Sequence, residues 1–283
     1  MPTIGSKKFI GNTLHENKLK AKKKLGQNFL TDITALENIA EAGDIDKYTL
    51  VIEVGPGLGS LTEQLVKRAG LVLAYELDQD LIPILKDNLG NPSNLIVKNI
   101  DILKADVNKD ILEYKDKYSK VHLVANIPYY ITTPIILGLL SQTKLITKYV
   151  LMIQLEVADR ITSKPKTKDY NALSIAIGYR CKAEKLFKVP RTAFIPAPNV
   201  DSAVISLDLY ETPIYSAKNE ELFFKMIREA FAQRRKTLVN NLGPIYGKDK
   251  VTSSLLKLGF KLTIRSEELS IEDFVNLSDL LGE

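Results

Sequence analysis

Short apolar runs alternate along the chain with stretches whose apolar residues recur at helical spacing. Leu50–Val54, Leu71–Glu76, Leu95–Lys98, Val121–Ala125 and Tyr149–Gln154 are of strand length and show little alternation, which marks strands buried on both faces. Between them, Leu61 and Leu65 with Val66, and Leu81, Ile82 and Leu85, fall on helix faces. Strand–helix–strand repetition of this kind predicts a parallel sheet covered by helices on both sides. Two later strands, near Ala183–Val189 and Val200–Tyr210, alternate more and are predicted as an antiparallel edge pair. After Glu211-Thr212-Pro213 the character changes: Leu222–Phe231, Lys236–Leu242, Val251–Leu258 and Ile271–Leu281 predict helices, with turns at Gly243-Pro244, Gly247 and Gly259. The pattern divides the chain into an arm (1–24), an α/β domain (25–211) and a smaller all-helical domain (212–283).

Composition narrows this picture. The 283 residues are 45% hydrophobic, enough for a substantial core. A net charge of +5 and a pI near 9.0 favour an anionic partner: RNA, DNA or an acidic membrane. Residues 1–25 hold seven lysines against one acid, Glu16; this is either a solvated, poorly ordered arm or a phosphate contact. The lone cysteine, Cys181, excludes an intrachain disulfide and a cysteine-rich zinc site. With only His15 and His122 available, no metal site and no histidine-dependent nucleophile is expected, and His122 in Lys120–Val124 reads as a packed strand residue. No apolar run approaches the roughly 20 residues of a membrane span; Ile131–Leu140 is broken by Thr132, Thr133 and Pro134. The lysine-rich start lacks an apolar signal region, so a cytoplasmic protein with no membrane partner is expected.

Candidate chemistry collects at strand ends. Gly55-Pro56-Gly57-Leu58-Gly59 follows the first strand, where glycines let the backbone turn sharply and approach a ligand. Ser60 stands where a dinucleotide fingerprint needs its third glycine, and the compressed spacing suits S-adenosyl-L-methionine better. Glu76, about 20 residues on, is placed to accept from both ribose hydroxyls, and Asp101 after the third strand to meet the adenine amino group of such a cofactor. Asn126-Ile127-Pro128-Tyr129 ends the fourth strand. There the Asn126 oxygen and the Ile127 carbonyl can accept both protons of a target adenine amine, Pro128 fixes the backbone and Tyr129 can stack on a flipped base.

Taken with Gln27-Asn28-Phe29-Leu30, Phe194 through Ala203, and Ala230-Phe231 with Gln233 through Leu238, these residues make the chain resemble the KsgA family of ribosomal RNA small subunit adenine N6,N6-dimethyltransferases over residues 20–283. The resemblance implies a Rossmann-like S-adenosylmethionine-dependent methyltransferase fold (a seven-stranded, mostly parallel sheet) for residues 25–211 and a ribosome-binding helical domain beyond. It implies cofactor contacts by Asn28, Leu30, Gly55, Gly57, Glu76, Asp101 and Asn126, and a target pocket of Asn126, Pro128 and Tyr129 with Phe194 on the second side of the adenine. The implied reaction places four methyl groups on two adjacent adenosines in the 3′-terminal hairpin loop of 16S rRNA, within the immature 30S subunit, by a monomer. Arg228, Arg234, Arg235 and Lys236 are candidates for RNA phosphates or a solvated helix face. Ile127, where the family more often has leucine, keeps open a large-subunit methylase of the macrolide-resistance type. A non-catalytic assembly factor is the alternative of another class.

Overall fold

The five apolar runs become strands of one sheet in the computed structural model, which describes residues 3–283. They are β1 (Thr49–Val54), β2 (Leu71–Tyr75), β3 (Leu95–Lys98), β4 (Lys120–Asn126) and β5 (Lys148–Gln154), and the later pair is β6 (Cys181–Val189) and β7 (Ser202–Leu209). The order across the sheet is β3-β2-β1-β4-β5-β7-β6. Pairing is parallel from β3 through β5, with Ile52 opposite both Leu73 and Leu123. β7 runs antiparallel to β5, from Gln154 opposite Ser202 to Lys148 opposite Asp208. Every residue of β1 is buried, because helices cover both faces of this central strand. On one face α2 (Ile33–Ala42) and α3 (Ser60–Val66) set Leu36, Ile39, Leu61 and Leu65 against Val51, Val72, Val124 and Val150. Asp32 caps α2 by accepting from the Ala35 N–H at 3.1 Å. Buried His122 is a packed residue, its Nδ1 2.8 Å from the Gly43 carbonyl, with burial lowering its pKa.

The chain forms two compact units. One runs to Ala158 and takes in Glu184–Leu209; the other joins Asp159–Ala183 to Tyr210–Glu283. Residues 159–183, placed with the α/β domain by the sequence pattern, thus group with the C-terminal helices. The cause is packing: Tyr170 meets the edge of Phe231 at 6.1 Å, and a short helix over Ala172–Gly178 sits so close to Ile271 that a Cβ on Gly178 would come within 2.7 Å of it. The helices of this unit match the apolar spacing, including Glu220–Ala230 and Ile271–Gly282. The turn expected at Gly243-Pro244 is absent: the helix Leu238–Tyr246 runs through it. Pro244 lies in the last two turns, where the one hydrogen bond it removes would go to the carbonyl of exposed Asn240.

The basic N-terminus also departs from expectation. Its residues Lys7–Glu16 form a helix, α1, capped by the Ser6 hydroxyl accepting from the Phe9 N–H at 3.2 Å. Ile10 is fully buried in a cluster with Phe29, Leu58 and Leu81, and Phe9 and Leu14 pack at its margin. The lysine run masks these apolar positions in the sequence. Replacing Ile10 with alanine should cost about 2–5 kcal/mol of unfolding free energy, measured by urea denaturation; a solvated arm would give no change.

Candidate cofactor and target-base site

Sheet order reverses between β1 and β4, so chain leaving their carboxyl ends diverges and opens a crevice there. Its walls bound about 990 Å³ of space, part of which is open solvent. Four strand ends and the segment Leu25–Leu30 form its walls. Gly57 has φ +58° and its Cβ position lies 3.2 Å from the Phe29 ring, so a side chain there would be strained and crowded. Gly59, at φ +96°, turns the chain into α3. The glycine loop is therefore a backbone cradle, as a nucleoside cofactor requires.

Glu76 ends β2 inside the crevice. Its Oε2 accepts from the Gly57 N–H at 3.0 Å and its Oε1 from the Asp78 N–H at 2.8 Å. Burial raises its pKa against these two donors. Each oxygen retains a lone pair for a ribose hydroxyl. Asp101 lines the same cavity, its Oδ1 accepting from the Leu103 N–H at 3.0 Å. Across the crevice Asn126 donates from Nδ2 to the Asn28 carbonyl at 3.3 Å. That bond assigns the amide: the nitrogen faces the cofactor wall, and Oδ1 is left as the acceptor. Pro128, at φ −56°, carries the chain into a single turn, Tyr129–Ile131. Asn28, Leu30, Gly55, Gly57, Glu76 and Asp101 thus share one cavity with Asn126, Pro128 and Tyr129.

Phe194 does not join them. Leu30 pairs with Phe194 and Phe29 with Ile195 in a short antiparallel ladder. Alternation along that ladder sends Ile195 toward the Phe29 cluster and Phe194, 2% exposed, into the opposite hydrophobic core. It packs in that core and is not among the residues that line the cavity. Arg228, Arg234, Arg235 and Lys236 lie in the helical unit, all exposed, Arg228 near the end of Glu220–Ala230 and the rest on the connection that follows.

Two groups of residues escaped the sequence reading. Lys22 bridges Asp78 at 2.6 Å and Asp80 at 2.7 Å, while Gln27 Nε2 donates to Asp78 at 2.8 Å. Burial pushes the Asp78 carboxyl up, but Lys22 and Gln27 outweigh it and hold the group below its usual range. The strap formed by residues 22–28 is thereby fastened to the end of β2. The second is Glu53, 1% exposed, which lines the crevice while its Oε2 meets no hydrogen-bond partner. Burial pushes its carboxyl up to about 8; the Thr62 hydroxyl alongside opposes this without completing a hydrogen bond, and repulsion from Glu76 adds to it. Its position two residues before the glycine loop was the available signal.

The chain matches the ribosomal RNA adenine dimethylase family over residues 18–283. It is 48% identical to ribosomal RNA small subunit methyltransferase A of Latilactobacillus sakei and 47% identical to that of Streptococcus agalactiae, covering 93% of this chain and 91% and 92% of theirs. Among solved structures, a dimethyladenosine transferase from Plasmodium falciparum superposes with a TM-score of 0.73 at 28% identity, over 88% of this chain and 95% of its own. The 23S rRNA methyltransferase ErmE gives 0.68 at 28% identity, over 90% and 100%.

Glu53 generates a pH dependence. With its pKa raised from 4.5 to about 8, the folded protein keeps a proton that the unfolded chain releases above about pH 4.5. The group's favourable contribution is complete below that pH and is lost as pH rises through 8. Glu53→Gln should flatten the fall in unfolding free energy across this window by up to about 1.4 kcal/mol per pH unit. Denaturant titrations from pH 5 to 8 measure it; parallel curves for the two proteins would contradict the assignment.

Proposed function

The chain belongs to the ribosomal RNA adenine dimethylase family, and we propose that it dimethylates N6 of two adjacent adenosines in the 3′-terminal hairpin loop of 16S rRNA. The reading has a monomer acting in the cytoplasm on the immature 30S subunit. One observation carries it: the Asn126 amide is oriented by the Asn28 carbonyl, so that its oxygen is the free acceptor beside the glycine cradle.

The amino nitrogen of adenine is a poor nucleophile because its lone pair is delocalised into the ring. Asn126 Oδ1 and the Ile127 carbonyl, accepting its two protons, localise that pair on nitrogen. S-adenosyl-L-methionine, held by Asn28, Leu30, Gly55, Gly57, Glu76 and Asp101, supplies an electrophilic sulfonium methyl when bound. As N6 takes the methyl it becomes cationic and its proton turns acidic, so the site needs no strong base. Ile127 is held in place by its N–H donating to the Met152 carbonyl at 3.2 Å, and Thr132 Oγ1 donates to the Pro128 carbonyl at 3.4 Å. These bonds keep the two acceptors in fixed positions before the base arrives. The 45–48% identity to small-subunit enzymes, against 28% to ErmE, favours the small-subunit substrate over the large.

In the helical unit the basic connection is held from below. Asn241 Nδ2 donates to the Ala230 carbonyl at 2.6 Å and to that of Gln233 at 3.1 Å, and the Arg234 guanidinium donates to the Lys168 carbonyl. Arg228, Arg235 and Lys236 stand exposed around it, and we assign them to RNA phosphates.

Labelled methyl groups should pass to the 3′ hairpin of unmethylated small subunits and not to large subunits, with the modified base mapped by primer extension. Asn126→Ala should lower kcat by on the order of 10²–10³. Label in large-subunit RNA would give the substrate to the resistance-type reading, and binding without label would make the chain an assembly factor. Neutralising Arg228, Arg235 and Lys236 should reduce the slope of log affinity against log salt by roughly 0.7–0.9 per lost phosphate contact. An unchanged slope would remove these residues from the RNA interface.

A further inference from the structure

The Tyr129 backbone is fixed on both sides, but by bonds that leave its ring free to turn. Pro128 sets the entry to the turn, and Thr132 Oγ1 closes it by donating to the Tyr129 carbonyl at 3.3 Å. The phenol end of the ring can still swing about the Cα–Cβ bond between staggered positions. A base stacked on that ring draws on its plane, and such stacking is worth about 1–3 kcal/mol.

The far end of the ring is anchored elsewhere. The Tyr129 hydroxyl lies 2.5 Å from Ser202 Oγ. Ser202 is fully buried and opens β7, where its backbone pairs with Gln154 at the end of β5. The Leu155 N–H donates to the Asp201 carbonyl at 3.0 Å, and Asp201 Oδ1 accepts from the Arg191 N–H at 2.9 Å, so the residue before Ser202 is held as well. Ser202 is therefore a fixed point on a strand remote in sequence from the Asn126–Tyr129 segment. Burial keeps the Tyr129 phenol above its usual pKa and hence neutral, able to hold this bond throughout the working pH range.

We infer that Ser202 is a positioning residue for methyl transfer: through its hydrogen bond it fixes where the phenol end of the Tyr129 ring stands, and so the place at which the target adenine stacks. The inference rests on the reading of Tyr129 as an aromatic wall of the target pocket. Ser202 touches neither base nor cofactor; it acts by sparing the ring a search over positions when the flipped base enters.

The test is a double-mutant cycle on unmethylated small subunits, using Ser202→Ala, Tyr129→Phe and the pair, with Tyr129→Ala as reference. Each single change should lower kcat/KM for the particle by about twofold to tenfold, the range of one net hydrogen bond, and leave the KM for S-adenosylmethionine unchanged. The double variant should be no slower than the slower single one. A Ser202→Ala enzyme as fast as the parent would overturn the inference. So would a Ser202→Ala penalty undiminished in the Tyr129→Phe background, or a rise in cofactor KM, since both would mark a general structural role. Tyr129→Ala separates the two layers: if it retains full activity, the pocket reading itself falls, whereas if it is inactive while Ser202→Ala is normal, only the role of Ser202 falls.

Discussion

The site depends on the parallel pairing of β1 with β4. These strands are far apart in the chain yet adjacent in the sheet, and the strands that follow them depart in opposite directions. Two loops are therefore pushed apart at one edge with their backbone polar groups facing a shared space. The glycine loop after β1 and the Asn126–Tyr129 segment after β4 occupy those positions. Both halves of the proposed group-transfer site, donor cradle and acceptor pocket, so follow from one register. A hydrogen bond from the Asn126 amide to the Asn28 carbonyl ties the second of these segments to the strap that walls the crevice.

Electrostatics divides labour among three acids within a few residues of that edge. Glu53, buried with its Oε2 unpartnered, is pushed toward neutrality. Glu76 is also pushed up by burial, but backbone N–H groups from Gly57 and Asp78 work against this, as suits a group that must accept hydrogen bonds. Asp78 is held charged by Lys22 and Gln27 and spends that charge on the strap rather than on a ligand. Three carboxylates crowded together would repel one another; unequal partners let one stay charged while burial eases another toward neutral.

Much of this was readable from the chain because it is local. Double-sided burial wrote β1 to β5 as uninterrupted apolar runs, and the strand ends fell within a residue or so of the pattern. Glycine spacing and the interval to Glu76 marked the cofactor half for the same reason. What failed was non-local. The orientation of Phe194 is decided by its register against Leu30, and the role of Ser202 by a contact with Tyr129 across the sheet edge. The grouping of residues 159–183 with the C-terminal helices rests on aromatic packing that no window of sequence contains. The order of α1 was hidden because its lysines dominate the local composition, whereas its fold is governed by a few apolar side chains.

That helix has a consequence for recombination between relatives. The family match begins at residue 18, just beyond the end of α1. A crossover placed at residue 18 would take Ile10, Phe9 and Leu14 away from Phe29, Leu58 and Leu81, with the Phe29 ring lying 3.2 Å from the Cβ position of Gly57. Seams in ancestry and seams in packing do not coincide here. Exchanging the N-terminus of this protein for another means exchanging the far side of Phe29 with it.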